Sequence, residues 1–544
     1  MPILSEIPKL MLSTHHISFE KTGYFAPIVL DYLNADEKLK EFYSFAPTLD
    51  GLKQAAEKRK FSKEKREILV KVLTEQWNKT EIEDHTVDEN LSKLLQSNTF
   101  TVTTGHQLNI FTGPLYFIYK IVSAINLAAK LNSEIKDKHF VPVYWMASED
   151  HDFAEINNVD LYGKRVEWKN NSSGAVGKLS TNSFSTVIKE LENTIGTSRE
   201  ANDLISLFKE CYSENSSLAE ATSKLVYHLF KNKGLIVIDA DNHELKKLFY
   251  EVIKDELINN KTNDLVEEQV EKLNKNFKIQ VNPREINLFY LKDNLRERIV
   301  KQNNRWKVLN TNMEFDENTL LKEIETHPER FSPNVLLRPL YQEIILPNIA
   351  YIGGGAEIAY WLELKNVFAH YSVQKPVVLL RNSVEWIDER SAERMTKLGI
   401  DSEDLFLEKE KLIKKIISQK FPEELSIEKQ KQQLNKIYNE LIEKGKSIDP
   451  TLKASFKADL HRNIKMLEHA QHKILKAIKR KNNDIVQHVE KLKKTLFPKG
   501  VLQERKDNFI PYYIKYENEF LNNLFKDLDP LDFRFVLIKE EKEN

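Results

Sequence analysis

The chain runs to 544 residues, too long for one simple core and enough for two to four domains, each burying its own apolar centre. Charged residues make up 30%, yet 81 Lys and Arg face 82 Asp and Glu; the net charge of −1 excludes a global field for nucleic acid or anionic membrane, so any anion site is local. A single cysteine, Cys211, excludes an internal disulfide framework and a Cys-rich metal site, and fits a reducing cytoplasm.

The first residues, Met1 to Lys9, lack a basic segment followed by an apolar run. No stretch approaches the ~18 consecutive apolar residues of a membrane span, so the expectation is a soluble, unexported protein with no membrane partner. Residues 37–78 read as helical and charged. The first clear strand is Phe100-Thr-Val-Thr103, and it enters a loop bounded by Gly105 and Gly113. Pro114 suits the first turn of a helix predicted to reach about Leu131, with Ile118, Ile121, Val122 and Ile125 at helical spacing. The glycines let the backbone approach a ligand, and free N–H groups at the helix start favour phosphate or carboxylate. His106, Gln107 and Lys120 supply side-chain chemistry. The loop has neither the G-x-G-x-x-G dinucleotide spacing nor a Walker A lysine, so a hydride carrier and a P-loop ATPase are unsupported.

Phe140-Val-Pro-Val-Tyr-Trp-Met146 has the pattern of a buried parallel strand and ends in Glu149-Asp150-His151-Asp152, with Glu155 beyond. This acidic group is either a polar site wall that takes Mg²⁺, or a loop whose Asp150 or Asp152 caps the next helix. One histidine among carboxylates is weak spacing for zinc, and no metal site is firmly predicted. Gly234–Asp239 and Lys375–Arg381 also run from apolar into polar residues. Together these strands predict an α/β fold: a Rossmann-like parallel sheet with ligands at its carboxyl edge.

The polar intervals between strands read as insertions. The expected division is a core at 1–160, a connecting subdomain at 161–215, a core strand segment at 216–241, a second connecting subdomain at 242–330, and the last core part at 331–388. A helical coiled coil at 389–500 and a tail returning to the core at 501–544 complete it. In the coiled coil, Leu434, Ile437 and Leu441, then Phe456, Leu460, Ile464, Leu467, Ile474 and Ile478, follow three-four spacing, with Gln471 in one apolar slot. Asp449-Pro450 breaks the hairpin, and the second helix is expected to continue to about Leu496, roughly 70 Å at ~1.5 Å per residue. The hairpin predicts a dimerisation element.

Arg338 offers bidentate recognition of carboxylate or phosphate. Tyr341, Tyr360 and Trp361 either wall a ring or sugar, or pack in the core. Gly353, Gly354 and Gly355 are expected to form a flexible turn ahead of Glu357, which opens a helix.

Taken in order, Thr104-Gly-His-Gln, Thr112-Gly-Pro-Leu-Tyr with Lys120, Trp145-Met-Ala-Ser-Glu-Asp-His-Asp-Phe-Ala-Glu-Ile-Asn157, Arg338-Pro-Leu-Tyr-Gln and Gly354-Gly-Ala-Glu-Ile-Ala-Tyr-Trp361 resemble the cysteine-adding ligases of bacillithiol biosynthesis. The resemblance spans essentially the whole chain. It implies a nucleotidylyltransferase-like Rossmann core with two connecting peptides, a long antiparallel coiled coil forming a homodimer, and addition of cysteine to glucosaminyl malate to make a low-molecular-weight thiol.

A carboxylate is a poor electrophile, so ATP with Mg²⁺ is the expected activator. Gln107, Lys120, Asp150 and Arg338 are the expected catalytic residues. Gly105, His106, Gly113, Glu149, His151, Tyr341, Glu357 and Tyr360 are the expected substrate- or nucleotide-binding residues. Cys211 is expected to be a buried small hydrophobe, since the substrate brings the thiol. The rival readings are a nucleotidylyltransferase acting on a small molecule, and a non-catalytic coiled-coil scaffold with a ligand-binding core.

Overall fold

The computed structural model describes residues 11–170 and 173–541; the N-terminal stretch Met1 to Lys9, read for targeting, lies outside them. Five parallel strands form the central sheet: β1 (Thr99–His106), β2 (His139–Met146), β3 (Ile236–Asp239), β4 (Asn348–Gly353) and β5 (Val377–Leu380). Their spatial order is β5-β4-β1-β2-β3. The chain therefore winds outward from β1 in both directions, and the sense of winding reverses between β1 and β4. In such sheets the crevice beyond the carboxyl ends at the reversal is where ligands settle.

Side chains stitch this reversal together. Thr101 and Thr103 donate their hydroxyls to Asn348 Oδ1 at 3.1 and 2.8 Å, and Thr104 donates to the Ile352 carbonyl at 2.9 Å. These hydroxyls allow a β-branched but polar strand to lie fully buried, because each finds an acceptor on β4. The helix after β1 spans Tyr116–Glu134, two residues later than predicted at its start. Ile118, Ile121 and Val122 are fully buried, and such side chains contribute about 1.5–3 kcal/mol each.

The first insertion packs two helices, Phe184–Ile195 and Arg199–Cys211, against the glycine loop. Phe111 is ringed by Phe184, Phe208 and Tyr212. The second insertion carries the strands Leu288–Lys292 and Leu295–Gln302 of an antiparallel sheet, which Phe331–Pro333 joins from the chain just beyond the insertion. At the C-terminal end, Arg534–Glu541 pairs antiparallel with Met11–Ser18 and parallel with Val384–Ile387.

Glu428–Lys446 and Leu452–Lys481 form an antiparallel hairpin. The second helix is shorter than predicted. It stops at Asn482, which has φ −112° and ψ 55°, and a separate helix, Asn483–Leu496, buries Ile485, Val489, Leu492 and Leu496. The 30-residue arm is thus about 45 Å long, not 70 Å. Gln471 is explained by its donation to the Leu425 carbonyl at 2.8 Å.

Candidate active site

The carboxyl ends of β1 and β4 open into a cavity of about 240 Å³. Gly105, His106 and Gln107 form one side, Tyr351 and Glu357 the other, and Lys120, Trp145 and Arg338 close it. Lys120, on the first turns of the helix after β1, points back to the sheet. Its ammonium donates to the Gly105 carbonyl and to Glu357 Oε2, both at 2.6 Å. Glu357 also accepts from the Tyr351 hydroxyl and, at 2.8 Å, from the Gly354 N–H, which caps its own helix. Burial lowers the Lys120 pKa against the opposing pull of Glu357. Burial would raise the Glu357 carboxyl, but the Lys120 ammonium and the bonds from Tyr351 and Gly354 outweigh it and leave it lowered. The pair is a fixed charge-bearing strut at the switch point.

Gly353, Gly354 and Gly355 form no flexible turn. Gly353 ends β4 and Gly355 begins the helix Gly355–Leu362, so the joint is a direct strand-to-helix step. A Cβ at Gly353 would lie 3.0 Å from Glu357 Cβ and 3.2 Å from a Tyr351 ring carbon. The requirement there is close approach, not flexibility.

The glycine loop divides between two tasks. Gly105 to Gln107 face the cavity, whereas Gly113 and Pro114 line a separate hollow. The helix start is less open to an anion than expected, because the Leu115 N–H donates to the Asp507 carbonyl at 2.7 Å. Asn508 Nδ2 donates to the carbonyls of Phe111 and Gly113 at 2.8 and 2.6 Å. This clamp holds Phe111, Thr112 and Gly113 at positive φ values of 49°, 69° and 65°. Backbone held in sparsely populated conformations concentrates at functional sites.

His106 is packed against Tyr116 and Phe117. Burial, with the Lys120 charge beside it, lowers its pKa to about 4, so it is neutral at physiological pH and serves as a wall. Arg338 lies across two rings, 5.3 Å from Tyr351 and 5.7 Å from Trp145, and donates to Gln342 at 3.0 Å. Its Nη2 is buried with no protein partner among the described residues. Tyr360 is buried beside it and helps keep its charge. Tyr341 is drawn out of the site altogether: it is fully buried, donates to the Ala240 carbonyl at 2.7 Å, and packs edge-on against Trp145.

A second cavity of about 400 Å³ adjoins the first, sharing Trp145, Ala147 and Arg338 with it. Glu149 and Asp150 stand at its core side. Glu149 is an ion-pair partner of the fully buried Lys246 and accepts from Ser332. Burial raises its pKa and Lys246 opposes the shift. Asp150 accepts from Gln107 Nε2 at 2.8 Å and lies 3.9 Å from Arg296. Burial raises the Asp150 pKa, but hydrogen bonds from Gln107 and the His151 N–H, together with Arg296, bring it below the ordinary carboxylate value. Gln107 donates equally to Glu155 at 2.8 Å. His151 is half exposed on the rim and bonds to Arg296 at 2.7 Å. Asp152 caps the short helix Phe153–Ile156, as the capping alternative expected.

Among the described residues no group of His, Cys, Asp and Glu is gathered as an all-protein metal cage, and no helix is long and apolar enough to cross a membrane. Cys211 is fully buried on the first insertion, and burial pushes its thiol up to about 12.

Trp145, Tyr351, Lys246 and Arg296 are the site residues that sequence reasoning missed. Trp145 had a local signal, lying just before the acidic cluster on the predicted strand; Lys246 and Arg296 reach the site from the second insertion and had none.

Residues 12–382 match the family described as Bacillithiol biosynthesis BshC, N-terminal Rossmann-like domain, and residues 384–540 match Bacillithiol biosynthesis BshC, C-terminal coiled-coil domain. Curated relatives named "Putative cysteine ligase BshC" include one from Flavobacterium psychrophilum, 42% identical over 97% of this chain and 100% of that protein. Another, from Flavobacterium johnsoniae, is 43% identical over 97% and 100%, and one from Cytophaga hutchinsonii is 37% identical over 96% and 98%. With both parts of the chain matched in order and relatives aligned over nearly their full length, the chain belongs to the bacillithiol biosynthesis BshC family.

Proposed function

We infer that the protein joins the carboxyl of cysteine to the amine of glucosaminyl malate, with ATP activating the carboxyl. The observation that carries this reading is the meeting of two cavities at Arg338, Trp145 and Ala147, beside the reversal of the sheet. One cavity presents Lys120 and Arg338 to charged oxygen; the other presents Asp150, oriented by Gln107, to an amine. Oxygen of the cysteine carboxylate attacks a phosphorus of ATP and displaces either ADP or pyrophosphate. The amine then attacks the acyl carbon, the oxygen carrying phosphate or AMP departs, and the amine proton leaves by way of Asp150 to solvent. Arg338, with its unpartnered Nη2, stabilises charge that grows on the departing oxygens. Glu155, exposed and steadied by Gln107, is the carboxylate that would hold Mg²⁺, which would neutralise charge on the triphosphate.

The hairpin arm supports a homodimer. Its 30-residue helix buries no residue within the chain, while Ile437, Leu441, Met466 and Ile474 present apolar surface. This reading places the enzyme in the cytoplasm, where ATP is supplied.

The test is incubation of the purified protein with cysteine, glucosaminyl malate, ATP and Mg²⁺, followed by mass analysis. The expected product is the thiol-bearing amide, formed in step with ADP or AMP. A stable nucleotide-linked product would instead mark a nucleotidylyltransferase.

A further inference from the structure

The larger cavity has two unlike walls. On the core side stand Glu149, Asp150 and Asp241, at the carboxyl ends of β2 and β3. Two of these acids are already matched: Glu149 by Lys246 and Asp241 by Lys178 at 2.9 Å. Asp150 is matched more loosely, by Arg296 at 3.9 Å, and addresses the cavity.

The facing wall comes from the second insertion and carries Arg284, Arg296 and Arg298. Arg296 and Arg298 are two apart on the strand Leu295–Gln302, so both project from the same face. The Arg296 side chain is only 8% exposed, stacks on Phe289 at 3.9 Å, and has a buried Nε with no partner among the described residues. Arg284 and Arg298 have no carboxylate partner among the described residues, although both line the cavity. Uncompensated guanidinium groups around an enclosed space are a binding surface for carboxylate or phosphate. This wall has no glycine-rich backbone cradle of the kind that holds a triphosphate, and Asp150 opposite would repel one. An amine at one end and carboxylates at the other satisfy both walls at once.

We propose that this cavity takes an amino sugar bearing a dicarboxylate, its amine against Asp150 and its carboxylates against Arg284 and Arg298. The proposal rests on the ligase reading for the identity of that ligand, glucosaminyl malate, and it assigns the malyl group to the second insertion. The amine then lies on the side where Arg338 and Trp145 open into the smaller cavity, which is where an activated carboxyl has to meet it. The insertion thereby acts as the specificity element, selecting the malyl-bearing sugar over a plain glucosaminide.

Calorimetric titration of the full-length protein tests this with three probes: glucosaminyl malate, methyl glucosaminide, and ATP with Mg²⁺. In the double variant Arg284→Gln/Arg298→Gln, affinity for glucosaminyl malate is expected to fall roughly tenfold to a hundredfold, the effect of losing one or two charged hydrogen bonds. Binding of methyl glucosaminide and of ATP stays at the wild-type level, and Arg298→Lys recovers part of the loss. Unchanged affinity for glucosaminyl malate overturns the proposal, as does a wild-type protein that does not bind it. A fall in ATP affinity in its place also overturns it and makes the arginines a triphosphate site. Thermal melting checks the fold, and if the double variant does not fold, Arg284→Gln on its exposed side chain is read by the same criteria. Binding requires no turnover, so the two readings fail separately. A protein that shows this binding pattern but makes no amide loses the ligase reading and keeps the subsite. One that makes the amide with an unchanged KM for glucosaminyl malate in the variants keeps the ligase reading and loses the subsite.

Discussion

Lys120 and Glu357, 237 residues apart, meet at 2.6 Å across the point where the sheet reverses its winding. Each is the nearest opposite charge to the other, and both are largely withdrawn from water, with side-chain exposures of 5% and 23%. Removing one partner leaves a buried charge unmatched. Lys120→Met is expected to cost about 3–5 kcal/mol in urea unfolding, and the double variant Lys120→Met/Glu357→Met to recover most of that loss. Both variants are expected to lack ligase turnover; an active double variant would remove Lys120 from the chemistry and leave it a strut.

The Arg338 guanidinium lies 5.3 Å from the Tyr351 ring and 5.7 Å from the Trp145 ring. A lysine brings the charge but not the planar fork of donors. Turnover of Arg338→Lys is therefore expected to drop on the order of a hundredfold, as for loss of a donor to developing charge, with the melting temperature little changed. Near-normal turnover would show that a point charge suffices there.

Asp239 links the core to the acidic wall. Burial, with the Asp241 carboxylate beside it, pushes its carboxyl up to about 7, against a hydrogen bond from Ser148. The folded state thus holds this proton more tightly than the unfolded chain, whose carboxyl titrates near ~4. The contribution is full below about pH 4, falls as pH rises to about 7, and stays lost above that. Asp239→Asn keeps an acceptor for Ser148 and carries no charge. Its gain in unfolding free energy, on the order of 2 kcal/mol at pH 8, is expected to shrink at pH 5. A gain independent of pH would place the cause elsewhere.

Ile437 and Met466 are 54% and 68% exposed on the hairpin. If the proposed dimer forms through this face, lysine at both positions is expected to give a monomer where the wild type sediments as a dimer in analytical ultracentrifugation, with far-ultraviolet circular dichroism unchanged. A variant that sediments as the wild type does would move the dimer surface off this face.

The parts legible in the sequence were those with local signals. The Phe140–Met146 run is β2, and the polar cluster does follow its carboxyl end. The helix after β1 showed its buried face by periodicity alone. β4 was not legible, although it is an interior strand of the sheet. Asn348-Ile-Ala-Tyr-Ile-Gly353 is short, begins with an amide and ends in glycine, and its polar first residue is explained only by Thr101 and Thr103 on another strand. Met11–Ser18 was equally silent, since MLSTHHIS has no clear alternation and becomes a strand by pairing with Arg534–Glu541. The same holds within the site. Gln107, Asp150 and Arg338 stood in recognisable motifs, whereas the acid-matching role of Lys246 and the stacking of Arg296 depend on a fold that returns the second insertion to β2.

Asn508 follows Gly113 by 395 residues, yet its amide fixes the loop beside the cavity. During synthesis that loop therefore waits 395 residues for its clamp, held meanwhile by the Tyr212 hydroxyl, which accepts from the Phe111 N–H at 3.0 Å. A chain cut before Asn508 keeps the Tyr212 brace and loses the amide that fixes the carbonyls of Phe111 and Gly113.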